Sequence, residues 1–206
     1  TSLAFSPDGA VLVSGSDDVK LWDMTTGEKL DAFEMGATVR AVAFSPDGRA
    51  VAAGSEEGVV EIRDVATREA THVMKGHIEA VRSLSFSRDG RILASSSDEH
   101  SIKLWDVETG ALRTTLRGGN YNFGVFSAGG KFLASEAVIE EGGRSFGAIK
   151  LWRAASEKEV RQGFLDEQPS TDFLWSERFL AAWHRKRAAH CADEEEWPAA
   201  LTHINR

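Results

Sequence analysis

An apolar run ending in Phe-Ser, followed at once by a sharp turn, recurs four times, and this cadence restricts the fold more than any other feature. The turns read Ser6-Pro7-Asp8-Gly9, Ser45-Pro46-Asp47-Gly48, Ser87-Arg88-Asp89-Gly90 and a worn copy, Ser127-Ala128-Gly129-Gly130. Their starts lie 39, 42 and 40 residues apart. A fixed period of this length means stacked units, each too small to bury its apolar face alone. Such architectures usually bind other molecules rather than transform them.

The third unit sets the template. After the loop Lys75-Gly76-His77, Val81 to Phe86 reads as a strand with Val81, Ser83 and Ser85 on one face and Arg82, Leu84 and Phe86 on the other. Arg88-Asp89-Gly90 makes a hairpin turn, with Gly90 free to take a positive φ. Arg91 to Ser95 forms the second strand, Ser101 to Trp105 the third and Ala111 to Leu116 the fourth. Four short antiparallel strands make a small sheet with two apolar faces, and neighbouring sheets must cover both. The reading is all-β: a β-propeller of four-stranded antiparallel blades, four to five of them present and forming part of a larger propeller.

The other units depart from the template in specific ways. The units span about 1–33, 34–74, 75–116 and 117–164. In the first, Ser14 to Trp22 is two residues shorter than the third unit's Ser95 to Trp105. The second has Arg63 where Trp is expected. In the fourth, Ser135 to Trp152 spans 17 residues against 10, a seven-residue insertion containing Glu140, Glu141, Gly142 and Gly143. The expectation is an enlarged turn at one rim, because loop closure costs little per added residue. Residues 165–206 read as a degenerate fifth blade or a C-terminal tail. Phe173 to Ser176 would be its first strand, Arg178 to Trp183 its second, Ala188 to Ala192 its third and Ala200 to Ile204 its fourth, with Arg185-Lys186-Arg187 a charged tip.

Composition narrows the function classes. A net charge of -8 repels phosphate backbones, so nucleic acid is not the expected partner. Cys191 is the only cysteine, so no internal disulfide forms. An intracellular, cytoplasmic home is expected, with the nucleus left open. No apolar run reaches the length of a membrane span, so no membrane partner is expected. Thr1 already lies inside a strand pattern, which suggests part of a longer chain.

The runs Val81–Gly90, Leu93–Ser97 and Ile102–Asp106, preceded by Gly76-His77, resemble a WD repeat, and the resemblance covers residues 3 to about 164. It implies a rigid platform for protein complexes and peptide recognition. It also implies a structural hydrogen-bond chain through His77, Ser95, a turn carboxylate and Trp105. Glu99 stands where Asp is usual, and the choice between Glu99 and neighbouring Asp98 stays open. The first unit keeps Ser14, Asp18 and Trp22, while the second, with Ala53, Glu57 and Arg63, lacks the set.

No catalytic constellation accompanies this framework. His184, His190 and Cys191, beside Asp193 and Glu194, match no metal-ligand spacing. No Gly-x-Ser-x-Gly frames a nucleophile, and no Gly-rich loop precedes a Lys. The expectation is a protein that is not an enzyme and has no catalytic residues, cofactor or metal. Partners often dock, by the same resemblance, on loops before the first strand and between the second and third. Those positions offer Arg40, Glu79 and Arg82, with Asp17, Glu56 and Asp98 in the turns. An Arg beside a channel can pair carboxylate or phosphate in a bidentate way. The first functional reading is therefore a scaffold that binds protein or peptide partners on the rim and channel face. The alternative is the regulatory or substrate-binding propeller of a longer catalytic or signalling protein.

Overall fold

The recurring turn explains where the strands part. In each intact copy the serine hydroxyl donates to the aspartate two residues on, at 2.6 Å for Ser6–Asp8, Ser45–Asp47 and Ser87–Asp89. The same serine oxygen accepts the N–H that opens the next strand, from Val11 at 2.9 Å, Ala50 at 2.9 Å and Ile92 at 3.0 Å. The turn glycines Gly9, Gly48 and Gly90 sit at φ of 70° to 75°, where a side chain would be strained. Each turn thus satisfies its own backbone through side chains supplied within five residues.

The computed structural model describes residues 2–117, 123–130, 132–141, 144–153 and 173–176. Its strands form four antiparallel sheets. Sheet 1 holds β1 (Ser2–Phe5), β2 (Val11–Gly15), β3 (Val19–Asp23) and β4 (Lys29–Phe33). Sheet 2 holds β5 (Val39–Phe44), β6 (Ala50–Ser55), β7 (Val59–Asp64) and β8 (Ala70–Lys75). Sheet 3 holds β9 (Val81–Phe86), β10 (Ile92–Ser97), β11 (Ser101–Asp106) and β12 (Leu112–Leu116). Sheet 4 holds β13 (Gly124–Phe126), β14 (Phe132–Glu141), β15 (Arg144–Arg153) and β16 (Phe173–Ser176). The described residues contain no helix. The chain falls into two compact units, Thr1–Leu174 and Trp175–Arg206, and β1–β15 lie wholly in the first.

The registers give every sheet two different faces. One face carries a cross-strand row that reads Phe5–Leu12–Trp22, Phe44–Val51–Arg63, Phe86–Leu93–Trp105 and Phe126–Leu133–Trp152 in the four sheets. The opposite face carries Ala4–Val13–Leu21, Ala43–Ala52–Ile62, Ser85–Ala94–Leu104 and Val125–Ala134–Leu151. The aliphatic face of each sheet packs on the aromatic face of the next. Val13 and Leu21 meet Val51 and Phe44; Ala52 and Ile62 meet Leu93 and Trp105; Ala94 and Leu104 meet Leu133 and Trp152. Removing such side chains from water, at about 1.5–3 kcal/mol for each Val, Leu or Ile, is what joins the units.

Two expectations need correction. The insertion in the fourth unit does not enlarge a turn: it lengthens a hairpin. β14 and β15 pair without a break from Phe132↔Arg153 to Glu141↔Arg144, where β10 and β11 stop at Ser97↔Ser101. The seven residues make four further rungs because two equal arms flank the pair at 142–143, so ladder bonds satisfy their backbone. Phe173–Ser176, expected to open a fifth unit, instead stands fourth in the order of sheet 4, beside β15. The far edge of β15 needs a hydrogen-bonding partner, and this short apolar strand supplies one. The other expected strands of the fifth unit, and His184, His190 and Cys191, lie outside the described residues.

Candidate functional site

Sheet 3 carries a continuous polar chain through its buried face. The Trp105 indole N–H donates to Ser95 Oγ at 2.7 Å, and Ser95 Oγ lies 2.7 Å from His77 Nε2. His77 Nδ1 lies 2.7 Å from Glu99 Oε1, and the His77 and Trp105 rings meet edge to face. Glu99 therefore takes the carboxylate position, while Asp98 turns to Arg82. Glu99 reaches because it also accepts the Ser101 hydroxyl and, through Oε2, the Ile78 N–H at 2.9 Å. Its side chain, one methylene longer than that of Asp, spans from the turn to the loop of His77. Lys103 Nζ adds a cation 3.4 Å from Glu99 Oε1.

These partners set the charges. Burial alone would raise the Glu99 carboxyl, but hydrogen bonds from Ser101, Ile78 and His77 outweigh it and hold it at about 2. Burial lowers His77 below its ordinary value, against the pull of Glu99. A neutral ring with Nδ1–H toward Glu99 leaves Nε2 to accept from Ser95, so the donors run one way: Trp105 to Ser95 to His77 to Glu99. The atom order matches that of a nucleophile, base and orienting acid. Ser95, however, is 0% exposed and already takes the Trp105 N–H, so no substrate carbonyl can meet it. This chain holds the sheet together.

The other units keep parts of it. Trp22 donates to Ser14 Oγ at 2.9 Å and Trp152 to Ser135 Oγ at 3.0 Å. Asp18 pairs with Lys20 at 2.8 Å. Sheet 2 solves the position differently. Arg63 replaces Trp, its Nε donates to the buried Glu61 at 2.9 Å, and its guanidinium lies 4.1 Å over the Phe33 ring of sheet 1. In the other sheets Lys20, Lys103 and Lys150 stand at the Glu61 position, so the charge at this site is reversed where the aromatic is lost.

At the hairpin-turn end of the same sheets lie the charged positions singled out by sequence. Val39 pairs Ser55 and Ala41 pairs Gly54, which leaves Arg40 as an extra residue; Arg82 is likewise skipped between Val81↔Ser97 and Ser83↔Ser96. Each bulge takes an Arg out of the ladder and aims it at the next turn. Arg40 Nη2 donates to Glu56 at 2.8 Å, and Arg82 Nε donates to both oxygens of Asp98, at 2.8 and 2.9 Å. The Asp98 hydrogen bonds raise Arg82, with a further contribution from Glu56, while Arg82 lowers Asp98, helped by His100 and Arg40. The two pairs thus feel each other across adjacent sheets. Arg82 commits Nε and Nη2 to Asp98, whereas Arg40 Nε is buried without an acceptor among the described residues. Asp17 and Glu79 are exposed, and the Glu79 carbonyl accepts the Ser97 hydroxyl at 2.9 Å. The bulges were not visible as such in the sequence; the repeated Val-Arg step before each apolar strand was their only mark.

Among the described residues no three His, Cys, Asp or Glu side chains converge as a metal site. No described helix is long and apolar enough to cross a membrane. No curated protein matches the chain. The family model described as "WD domain, G-beta repeat" matches residues 1–23, 29–64 and 68–106, each match ending on the Asp that closes β3, β7 or β11. Four-stranded sheets in register, Trp–Ser bonds on one face and these three matches agree: the chain belongs to the WD-repeat family.

Proposed function

We propose that this WD-repeat chain is a protein-interaction scaffold whose contact surface is the hairpin-turn end of sheets 2 and 3. One observation carries the reading: bulges at equivalent positions present Arg40 and Arg82 beside Glu56 and Asp98, as two coupled ion pairs. A surface fixed in advance lowers the ordering cost of binding. Arg40 engages Glu56 through Nη2 alone, and its remaining terminal N–H groups are the first contact for a carboxylate or phosphate on a protein or peptide. Asp17 and Glu79 flank the surface and favour partners that also carry a cation.

The test is a quantitative pull-down from the source cell's lysate with the chain and with its Arg40→Glu/Arg82→Glu variant, both checked for native Trp fluorescence. Partners enriched by the parent and lost by the folded variant support the reading. Identical partner sets for the two baits overturn it.

A further inference from the structure

The exchange of a tryptophan for Arg63 leaves room behind it. Between sheets 2 and 3, Trp105 is 3% exposed, and His72 Nε2 lies 3.0 Å from the Glu108 carbonyl oxygen in the turn after β11. Gly110 in that turn sits so close that a Cβ on it would stand 2.8 Å from His72 Nδ1. That junction is shut. Between sheets 1 and 2 the same three positions hold Arg63, Asp31 and Arg68. Here a space stays open, about 210 Å³ with its mouth included, floored by Leu21, Phe33, Val51 and Val65. Its enclosed part admits about one methyl-sized group. Arg63 cannot fill it: Nε and Nη2 donate to Glu61, Nη1 donates to the Arg68 carbonyl oxygen, and the guanidinium lies over Phe33. The lip is charged and has capacity left. Arg68 Nε and Asp31 Oδ2 stand 3.8 Å apart, and neither side chain makes a hydrogen bond among the described residues. Arg68 is also held at φ 65°, where sheets 1 and 3 have Gly27 and Gly110, so this side chain is kept at a backbone penalty.

We propose that this space between sheets 1 and 2 binds the C-terminal residue of a partner chain, one with a small aliphatic side chain such as Ala or Val. The Arg68 guanidinium pairs the terminal carboxylate through parallel N–H···O bonds, Asp31 accepts the residue's backbone N–H, and the side chain enters over Phe33. Charge and shape together select this occupant. An internal Asp or Glu brings a carboxylate with no aliphatic group beside it, whereas a chain end unites carboxylate, N–H and side chain on one carbon. A terminal Phe is refused, because the enclosed floor is too small for a ring. The turn that bears Arg68 lies at the opposite end of sheet 2 from Arg40 and Glu56, so the site is separate from the surface around those residues.

Heteronuclear NMR of the full chain, titrated with acetyl-Gly-Gly-Val bearing a free carboxylate, tests this. The Val51 and Val65 methyl signals and the Arg68 Nε–H signal are expected to shift saturably. The C-terminal amide of the same peptide, and acetyl-Gly-Gly-Phe, are each expected to bind about tenfold more weakly or worse. Arg68→Gly removes the guanidinium and the left-handed strain together. It is expected to unfold at a urea midpoint no lower than the parent's while losing about tenfold or more in peptide affinity. Lost binding in that variant then cannot come from lost folding. Free valine separates a partner's chain end from a free amino acid: valine bound as tightly as the peptide overturns the proposal. A parent that shows no saturable shift, or equal binding by the amide or by Arg68→Gly, overturns it as well.

Discussion

Two residues other than glycine hold a positive φ, Arg68 at 65° and His100 at 60°. Arg68 takes the place of Gly27 and Gly110 after the turn aspartate, and His100 that of Gly58. A left-handed conformation costs a side-chain-bearing residue about 1 kcal/mol. His100→Gly is therefore expected to raise unfolding stability by roughly 0.5–1 kcal/mol in urea titrations. Gly58→Ala is expected to lower it by more than about 1 kcal/mol, since a Cβ there meets the His77 carbonyl oxygen at 2.5 Å. The polar chain of sheet 3 gives a pH dependence of fixed sign. Both His77 and Glu99 titrate lower when folded than when unfolded, so the unfolded chain binds the extra proton. Stability is full above the ordinary His value of 6.5, falls as His77 resists protonation, and falls again from 4.5 toward 2 as Glu99 is forced to protonate. Urea midpoints across that range are expected to decline toward acid, and Glu99→Gln to lessen the lower part of the decline, the rest belonging to the lowered aspartates such as Asp106.

At the scale of elements, the fourth turn lacks the aspartate of the other three. Its Ser127 oxygen still accepts the Phe132 N–H, at 3.2 Å against 2.9–3.0 Å elsewhere. Gly129 stands where Asp is found, and a side chain there meets nothing within 4 Å. Gly129→Asp is expected to add about 0.5–1.5 kcal/mol, read from the unfolding midpoint. Sheet 2 makes the opposite point. Glu61 is buried and Arg63 is its counter-ion, so Arg63→Trp alone is expected to cost about 3 kcal/mol. Adding Glu61→Lys and Ala53→Ser recreates the arrangement of the other sheets and is expected to recover most of that loss in thermal unfolding. The sequence displayed Arg63 as a missing Trp. That Glu61 answers it was hidden, because the two face each other only through the period-2 alternation of β7.

At the scale of the whole molecule, the described residues cover sheets 2 and 3 on both faces, and sheets 1 and 4 on one each. Backbone amides of β6, β7, β10 and β11 are therefore expected to exchange slowest in hydrogen exchange, with β1 and β13 fastest. Much of this was legible in the residues. Ser6, Ser45 and Ser87 with their aspartates marked the unit starts, and Ser95 with Trp105 marked a buried bond. Other features escaped because they depend on pairing rather than on residue type. Glu140-Glu141-Gly142-Gly143 reads as a turn until Ile139 is set opposite Phe146. Arg40 and Arg82 read as charged docking positions in the loops until a bulge turns them toward Glu56 and Asp98.

The long hairpin of sheet 4 has a consequence for anything that approaches the end bearing Arg40 and Arg82. Its four extra rungs stand about 14 Å beyond the level at which its neighbours turn back, at roughly 3.4 Å per residue. It acts as a fence post beside low ground. If the proposed contact surface is used, a slender extended segment is expected to pass beside the post to the arginines, whereas a broad flat surface is expected to rest on the post.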